Sequence, residues 1–264
     1  MKFLINLHST QLHQQLPLNY QYPLSAAIYR ILQQADSDYA SFLHNEGYKQ
    51  EGSLKTFKLF NFSDIKVPFK IIGDRLETLD NKAQLIVSFH LPQAAENFIK
   101  GLFLSQQIEI ADASSKAKFT VAQVSAIPSG LGIDATQQIV VQPISPVVAG
   151  IKNEKGDYTF VPPDHTDFVP QLLYNWKAKY AALHSEATAN TDFATAAMKV
   201  IFFRNAPKSR LITIKAGSPG ETKIRGFTNF RLQVSGQKDA LELLLNVGAG
   251  VYSSLGMGCI EMVV

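Results

Sequence analysis

Two Gly-x-Gly units, Gly248-Ala249-Gly250 and Gly256-Met257-Gly258, frame the loop Val251-Tyr252-Ser253-Ser254-Leu255. Glycine tolerates positive φ and lets a backbone approach a ligand closely, so a loop of this kind can offer its amides to a phosphate chain. The same composition also suits a purely structural loop. In a dinucleotide fold the glycine loop follows a strand and opens a helix, whereas here the helical pattern of 238–246 comes first. A Walker phosphate loop closes on Gly-Lys-Ser/Thr, and this segment closes on Gly256-Met257-Gly258. Both nucleotide-cofactor readings fail.

Positive charge gathers just upstream. Between Lys199 and Arg231 stand Lys199, Arg204, Lys208, Arg210, Lys215, Lys223, Arg225 and Arg231, opposed by Glu221 alone. The whole chain carries only +3, so this concentration is what a phosphate-binding surface requires. Read as one strand, 223–235 alternates Lys223, Arg225, Phe227, Asn229, Arg231 and Gln233 against Ile224, Gly226, Thr228, Phe230, Leu232 and Val234. A solvated outer face would mix in acids, and this one has none. Phosphate contact plus stacking on Phe227 is the expectation.

Metal chemistry finds little support. His8, His13, His90, His165 and His184 show no metal-ligand spacing with carboxylates, and Asp164-His165-Thr166-Asp167 follows Pro162-Pro163 where a helix cap is expected. The single cysteine, Cys259, excludes an internal disulfide and a cysteine-built zinc site. No metal and no cofactor are expected. His44, Tyr29 and Lys58 each have a plain structural reading: a cationic cap at a helix C-terminus, a core tyrosine, and a solvated lysine in an apolar strand.

The elements that must position these residues follow from periodicity. The 264 residues suit two domains, here 1–130 and 131–264. Residues 2–7 read as a strand. A helix over 23–34 follows, with Pro23 in its first turn and Leu24, Ala27, Ile28 and Ile31 on one face. Asp36 or Ser37 can cap a second short helix that Gly47 ends, which puts His44 at its C-terminal end. Strands are expected at 56–63, 68–72, 75–79, 84–90 and 117–126, with a helix over 92–106 before the Pro128-Ser129-Gly130 breaker. The order approximates βαββαβ, the ferredoxin-like unit also used by RNA-recognition modules.

A similar order recurs after residue 133. Strands are expected at 138–144, 210–215, 223–235 and 257–264, with helices at 167–185, 190–203 and 238–246. The fold class is therefore α+β, two tandem ferredoxin-like (RRM-like) domains. The first residues lack the apolar core of a signal peptide, and no stretch approaches the roughly 18 apolar residues of a membrane helix. A cytoplasmic protein without a membrane partner is expected.

The glycine segment resembles the C-terminal signature of the repeat-associated RNA-binding (RAMP) superfamily linked to CRISPR systems. The N-terminal half is similar to its repeat-processing endoribonucleases in Leu16-Pro17-Leu18-Asn19-Tyr20, Leu24-Ser25-Ala26-Ala27-Ile28-Tyr29, Phe42-Leu43-His44-Asn45-Glu46-Gly47-Tyr48 and Phe57-Lys58-Leu59-Phe60-Asn61-Phe62-Ser63. Residues 100–190 carry no matching motif.

The resemblance implies metal-independent cleavage of pre-crRNA within its repeats. The ribose 2′-hydroxyl attacks the adjacent phosphorus and leaves 2′,3′-cyclic phosphate and 5′-hydroxyl ends. By the same resemblance His44 is the general base, Tyr29 orients or protonates, and Lys58 stabilises the phosphorane, with Lys49 or Lys55 as alternative lysines. A base of this kind contributes about 10²–10⁴ in rate. RNA contacts are expected from Lys223, Arg225, Phe227, Arg231, Gly248, Gly250, Tyr252, Ser253, Gly256 and Gly258. CRISPR repeat RNA is the implied partner, with other interference-complex proteins and a second copy of the chain as further ones. The rival readings are a non-cutting guide-RNA-binding subunit and a protein-interaction module with a structural glycine loop.

Overall fold

The computed structural model describes residues 1–154, 156 and 158–263. β1 (Lys2–His8) turns Ile5 and Leu7 inward by alternation, and β2 (Gln15–Pro17) follows it. α1 (Gln21–Ala35) and α2 (Ser37–Asn45) meet at Asp36. That residue is extended, its amide bonds Leu32 O, and its carboxylate accepts from the Tyr39 amide at 2.9 Å, so one aspartate ends the first helix and caps the second. Gly47, at φ +70°, then turns the chain away.

β3 (Phe60–Phe62), β4 (Phe69–Ile72), β5 (Arg75–Thr78), β6 (Lys82–Phe89), α3 (Pro92–Ser105), β7 (Gln107–Ala111) and β8 (Lys116–Ile127) complete this half. The main sheet is antiparallel in the order β3-β6-β1-β8-β7, and β2-β5-β4 form a small second sheet. Without the edge strand β7, this is a ferredoxin-like sheet. Leu24, Ile28 and Ile31 of α1 and Ala95, Phe98 and Leu102 of α3 share one core with the sheet residues Ile5, Val87 and Phe119.

The second half contains β9 (Thr136–Pro143), β10 (Gly150–Lys152), β11 (Tyr158–Phe160), α4 (Phe168–Ala181), α5 (Glu186–Asp192), β12 (Ala197–Phe202), β13 (Lys208–Ile214), β14 (Thr222–Thr228), β15 (Phe230–Gln237), α6 (Lys238–Val247), a 3₁₀ turn at Ser253–Leu255 and β16 (Ile260–Met262). Its sheet runs β12-β15-β9-β16, the same ferredoxin-like order as the first. β10–β11 and β13–β14 are hairpins added to it.

Several expected elements differ. Residues 56–59 do not join the strand: Leu59 sits at φ +53°, and Phe57 instead bridges Tyr48. The expected helix over 190–203 stops at Asp192, and 197–202 becomes β12, because pairing with β15 satisfies its backbone and suits Val200 and Ile201. The expected strand 223–235 is two strands in different sheets. Asn229 adopts φ +64° and donates to the carbonyls of Asn205 and Ala206, which breaks the alternation. The expected strand 257–264 is ordered as β16 over 260–262, and its residue 264 lies outside the described residues. β2, β7, β10 and β11 had no sequence expectation; all but one are short edge elements of three residues.

The two halves interlock at β3. Phe60 and Phe62 enter the first core, while Phe57 and Leu59, just before the turn, enter the second. Asn61 between them donates to Val247 O at 3.2 Å and Met257 O at 3.0 Å, and Ser88 Oγ donates to Asn246 O at 2.7 Å. On another side, Arg210 of β13 donates to both oxygens of Asp64, which also accepts from Tyr20 and Gln21.

Candidate functional site

α1 and α2 bring two predicted residues into contact. The rings of Tyr29 and His44 meet edge to face, with centroids 5.2 Å apart at 81°, and Tyr29 meets Phe60 in the same way at 5.5 Å. Lys58 completes the group from the segment before β3: its Nζ donates to His44 O at 2.8 Å. Fifteen residues of loop and helix end are thereby drawn around Gly47, where a Cβ would stand 3.0 Å from Lys58 Cδ.

His44 is exposed at the end of α2, and its Nδ1 lies 3.0 Å from Asn45 Oδ1. The Asn45 amide nitrogen donates to Ser41 Oγ, which orients the amide so that its oxygen faces the imidazole. That oxygen accepts only, so it favours the Nδ1–H tautomer and leaves Nε2 free to accept a proton. Burial pushes the Tyr29 phenol well above its usual range, so it remains a neutral donor. Burial lowers the Lys58 ammonium from its ordinary value, with Glu46 opposing. An imidazole with Nε2 unengaged, a neutral phenol and a lysine amine therefore share one corner of the molecule.

The other lysines point elsewhere. Lys55 Nζ lies 4.8 Å from the Tyr174 ring centroid and 5.5 Å from that of Phe57. Lys49 is exposed on the 48–57 loop. Lys58 is the lysine that touches His44.

The glycine loop lies on the same side. Its Ser253–Leu255 turn packs beside α1 and β3, and Ser25 Oγ donates to Ser254 O at 2.7 Å. A cleft of about 250 Å³ separates this turn from the 55–59 segment, with Lys55, Lys58, Tyr158, Lys179, Tyr252 and Ser253 on its walls.

The glycines themselves are buried. A Cβ on Gly256 would enter the Phe62 ring, and one on Gly258 would strike the Ala249 carbonyl; Gly248 and Gly250 are equally closed by Asn61 and Val148. The amides of Gly248, Ala249, Val251, Gly256 and Gly258 already bond protein carbonyls. Close packing, against the first half at Gly248 and Gly256 and within the second half at Gly250 and Gly258, thus accounts for the four glycines, and Tyr252 and Ser253, both half-buried, are the predicted loop residues that reach the cleft.

The basic strand is rearranged relative to expectation. Lys223 and Arg225 are exposed on β14, and Arg225 reaches Ser209 Oγ at 3.3 Å. Phe227 is 6% exposed and packs in the second core, so its ring is no stacking platform; the backbone exchange with Val147 draws it inward. Arg231, on the other strand, lies over Phe203 at 5.2 Å. Arg210 is spent on Asp64. The inner face of the β13–β14 hairpin, Ile212, Ile214 and Ile224, packs with Met257, Val251, Tyr252 and Leu255 of the glycine loop.

Sequence reasoning missed Lys179, which contacts the loop from α4. Its signal was present: Leu172, Trp176, Lys179 and Tyr180 share a helical face, and a lysine on an otherwise apolar stripe needs a partner. Among the described residues, no three His, Cys, Asp or Glu side chains are grouped to hold a metal, and no helix is long and apolar enough to cross a membrane.

Comparison with known proteins gives consistent results. The family described as CRISPR-associated protein Cas6, N-terminal, matches residues 15–125, and CRISPR associated protein Cas6, C-terminal, matches 131–262. The CRISPR-associated endoribonuclease Cas6 1 of Methanocaldococcus jannaschii is 31% identical over 177 residues, covering 65% of this chain and 62% of that protein. The chain therefore spans under two thirds of the curated relative it matches. A solved CRISPR associated protein Cas6 superposes with TM-score 0.69 at 24% identity, covering 100% of this chain and 99% of the other. The product of a Cas6-related gene from Pyrococcus furiosus gives 0.75 at 20%, covering 100% and 98%, and a RAMP protein binding different RNA substrates gives 0.77 at 17%, covering 100% of both. These likenesses establish the fold.

Proposed function

The chain belongs to the Cas6 family, and from that premise we propose that it is an endoribonuclease that binds CRISPR repeat RNA and cuts pre-crRNA within the repeats. The observation that carries this reading is the contact of Tyr29 and Lys58 with His44, with Lys58 also on the wall of the cleft. His44 Nε2 takes the proton of the ribose 2′-hydroxyl, which attacks phosphorus. Lys58 stabilises the charge that develops on the phosphorane. Tyr29, held neutral by burial, orients the imidazole and is the candidate donor toward the leaving 5′-oxygen. No step requires a metal ion, and the products are a 2′,3′-cyclic phosphate and a 5′-hydroxyl.

RNA is held by exposed Lys223 and Arg225, by Arg231, and by Tyr252 and Ser253 of the loop, with the four buried glycines setting the loop's path. The protein works in the cytoplasm on repeat transcripts; other interference-complex proteins and a second copy of the chain are its candidate protein partners. A guide-RNA-binding subunit that does not cut would need none of the His44 arrangement. Incubating the purified protein with a repeat-containing transcript in excess EDTA tests the reading. Cleavage to cyclic-phosphate ends is expected, while binding without cleavage would favour the non-cutting subunit.

A further inference from the structure

Lys179 is only 3% exposed, yet its side chain ends in an ionisable amine. Its Nζ donates to Gly248 O at 3.0 Å, Gly250 O at 2.9 Å and Ser253 Oγ at 2.8 Å. In the charged form all three protons are used, and all three acceptors are neutral. Among the described residues no carboxylate pairs with this cation. A buried charge without a counter-ion is costly, and a leucine would fit the apolar stripe of α4. What sits beyond it is the cleft between the 55–59 segment and the glycine loop, whose described walls carry Lys55, Lys58 and Lys179 and no acid.

We infer that Lys179 is a positioning residue for the RNA strand. It holds the carbonyls of Gly248 and Gly250 and the Ser253 hydroxyl inward so that residues 251–255 form one wall of the cleft, and a phosphate of the bound strand supplies the counter-charge that the fold leaves out. This rests on the reading of the chain as an RNA-binding Cas6 protein.

Burial, reinforced by Lys55, lowers the Lys179 ammonium to about 7, so in the free protein it is partly neutral near neutral pH. An anion in the cleft favours the charged form, and RNA binding must then take up protons. The other titratable groups facing the cleft are Lys55 and Lys58 from the 55–59 segment, Tyr158 from β11 and Tyr252 from the loop. Burial lowers both lysines as well, so the contribution of Lys179 has to be isolated by substitution.

The test is calorimetry of the full chain with its repeat RNA carrying 2′-deoxyribose at the cut, in two buffers of different ionisation enthalpy, at about pH 7 and about pH 8. Wild type is expected to take up about half a proton near pH 7 and more near pH 8, its affinity falling by at most about tenfold per pH unit. Lys179→Met should lose that increment and bind about tenfold more weakly. Equal proton uptake by the two proteins would overturn the inference. If Lys179→Met does not fold, NMR of the Lys179 ammonium in wild type decides: its titration midpoint must rise when RNA is added, and an unmoved midpoint refutes the role. Absence of any RNA binding by wild type would instead overturn the RNA reading beneath it.

Discussion

The ammonium of Lys58 donates a 2.8 Å hydrogen bond to the backbone carbonyl of His44, fourteen residues away, and so ties the segment entering β3 to the end of α2. A flexible lysine is thereby held beside an exposed imidazole, and the group is completed by the Tyr29 ring. Positioning of this kind is what the proposed transesterification would require of the three residues.

His44→Ala should lower the single-turnover cleavage rate by about 10²–10⁴ while repeat affinity changes by less than about threefold. The motivation is the free Nε2 that the Asn45 contact leaves to accept a proton. Cleavage by the variant at the wild-type rate would eliminate His44 as the base.

Lys58 should be separable from Lys55. Lys58→Ala is expected to slow cleavage by about 10–10³, and Lys55→Ala to act chiefly on RNA affinity, because Lys55 lies over Tyr174 and Phe57. The pH profile gives a second handle. Burial lowers the Lys58 ammonium, so its charge, and the rate with it, is lost as pH rises through that value. Lys58→Arg, charged throughout, should move the alkaline limb upward. A limb that stays in place assigns it to another group.

Gly256→Val should cost about 1–3 kcal/mol of stability and lower RNA binding and cleavage together, since its side chain would collide with Phe62 at a φ of +76°. A drop in melting temperature measured alongside binding checks this. An unchanged melting temperature with lost binding would show that the glycine serves RNA contact directly.

Two arginines of the basic segment should behave oppositely. Arg225→Ala, exposed on β14, is expected to flatten the salt dependence of RNA binding by about 0.7 in slope with little change in melting temperature. Arg210→Ala leaves Asp64, Tyr20 and Gln21 without their cation and should destabilise the fold by about 1–2 kcal/mol while the salt slope is kept. Identical effects of the two would mean the segment acts as one undivided charge patch.

The sequence by itself determined the βαββαβ frame of the first half, because each signal for it is local, whereas in the second half the expected helix over 190–203 gave way to the sheet strand β12. Apolar spacing marks α1 and α3, Asp36 and Gly47 bracket α2 and so set His44 at its end, and βαββαβ recurs after residue 133. The matched motifs also named Tyr29, His44 and Lys58, but alternation alone could not choose among Lys49, Lys55 and Lys58. What sets Lys58 against His44 is the left-handed turn at Leu59, which sends Phe57 into one core and Phe60 into the other and leaves Lys58 facing α2. The basic face failed for a related reason. Reading 223–235 as one face assumes an unbroken phase, and Asn229 resets it at φ +64°, a conformation supported by carbonyls of Asn205 and Ala206 more than twenty residues back. Phe227 went inward because Val147 pairs with its backbone, and Lys179 found its acceptors about seventy residues away in the glycine loop. A periodic pattern reports the face a residue occupies within its own element, and only the packed chain decides what lies across from that face.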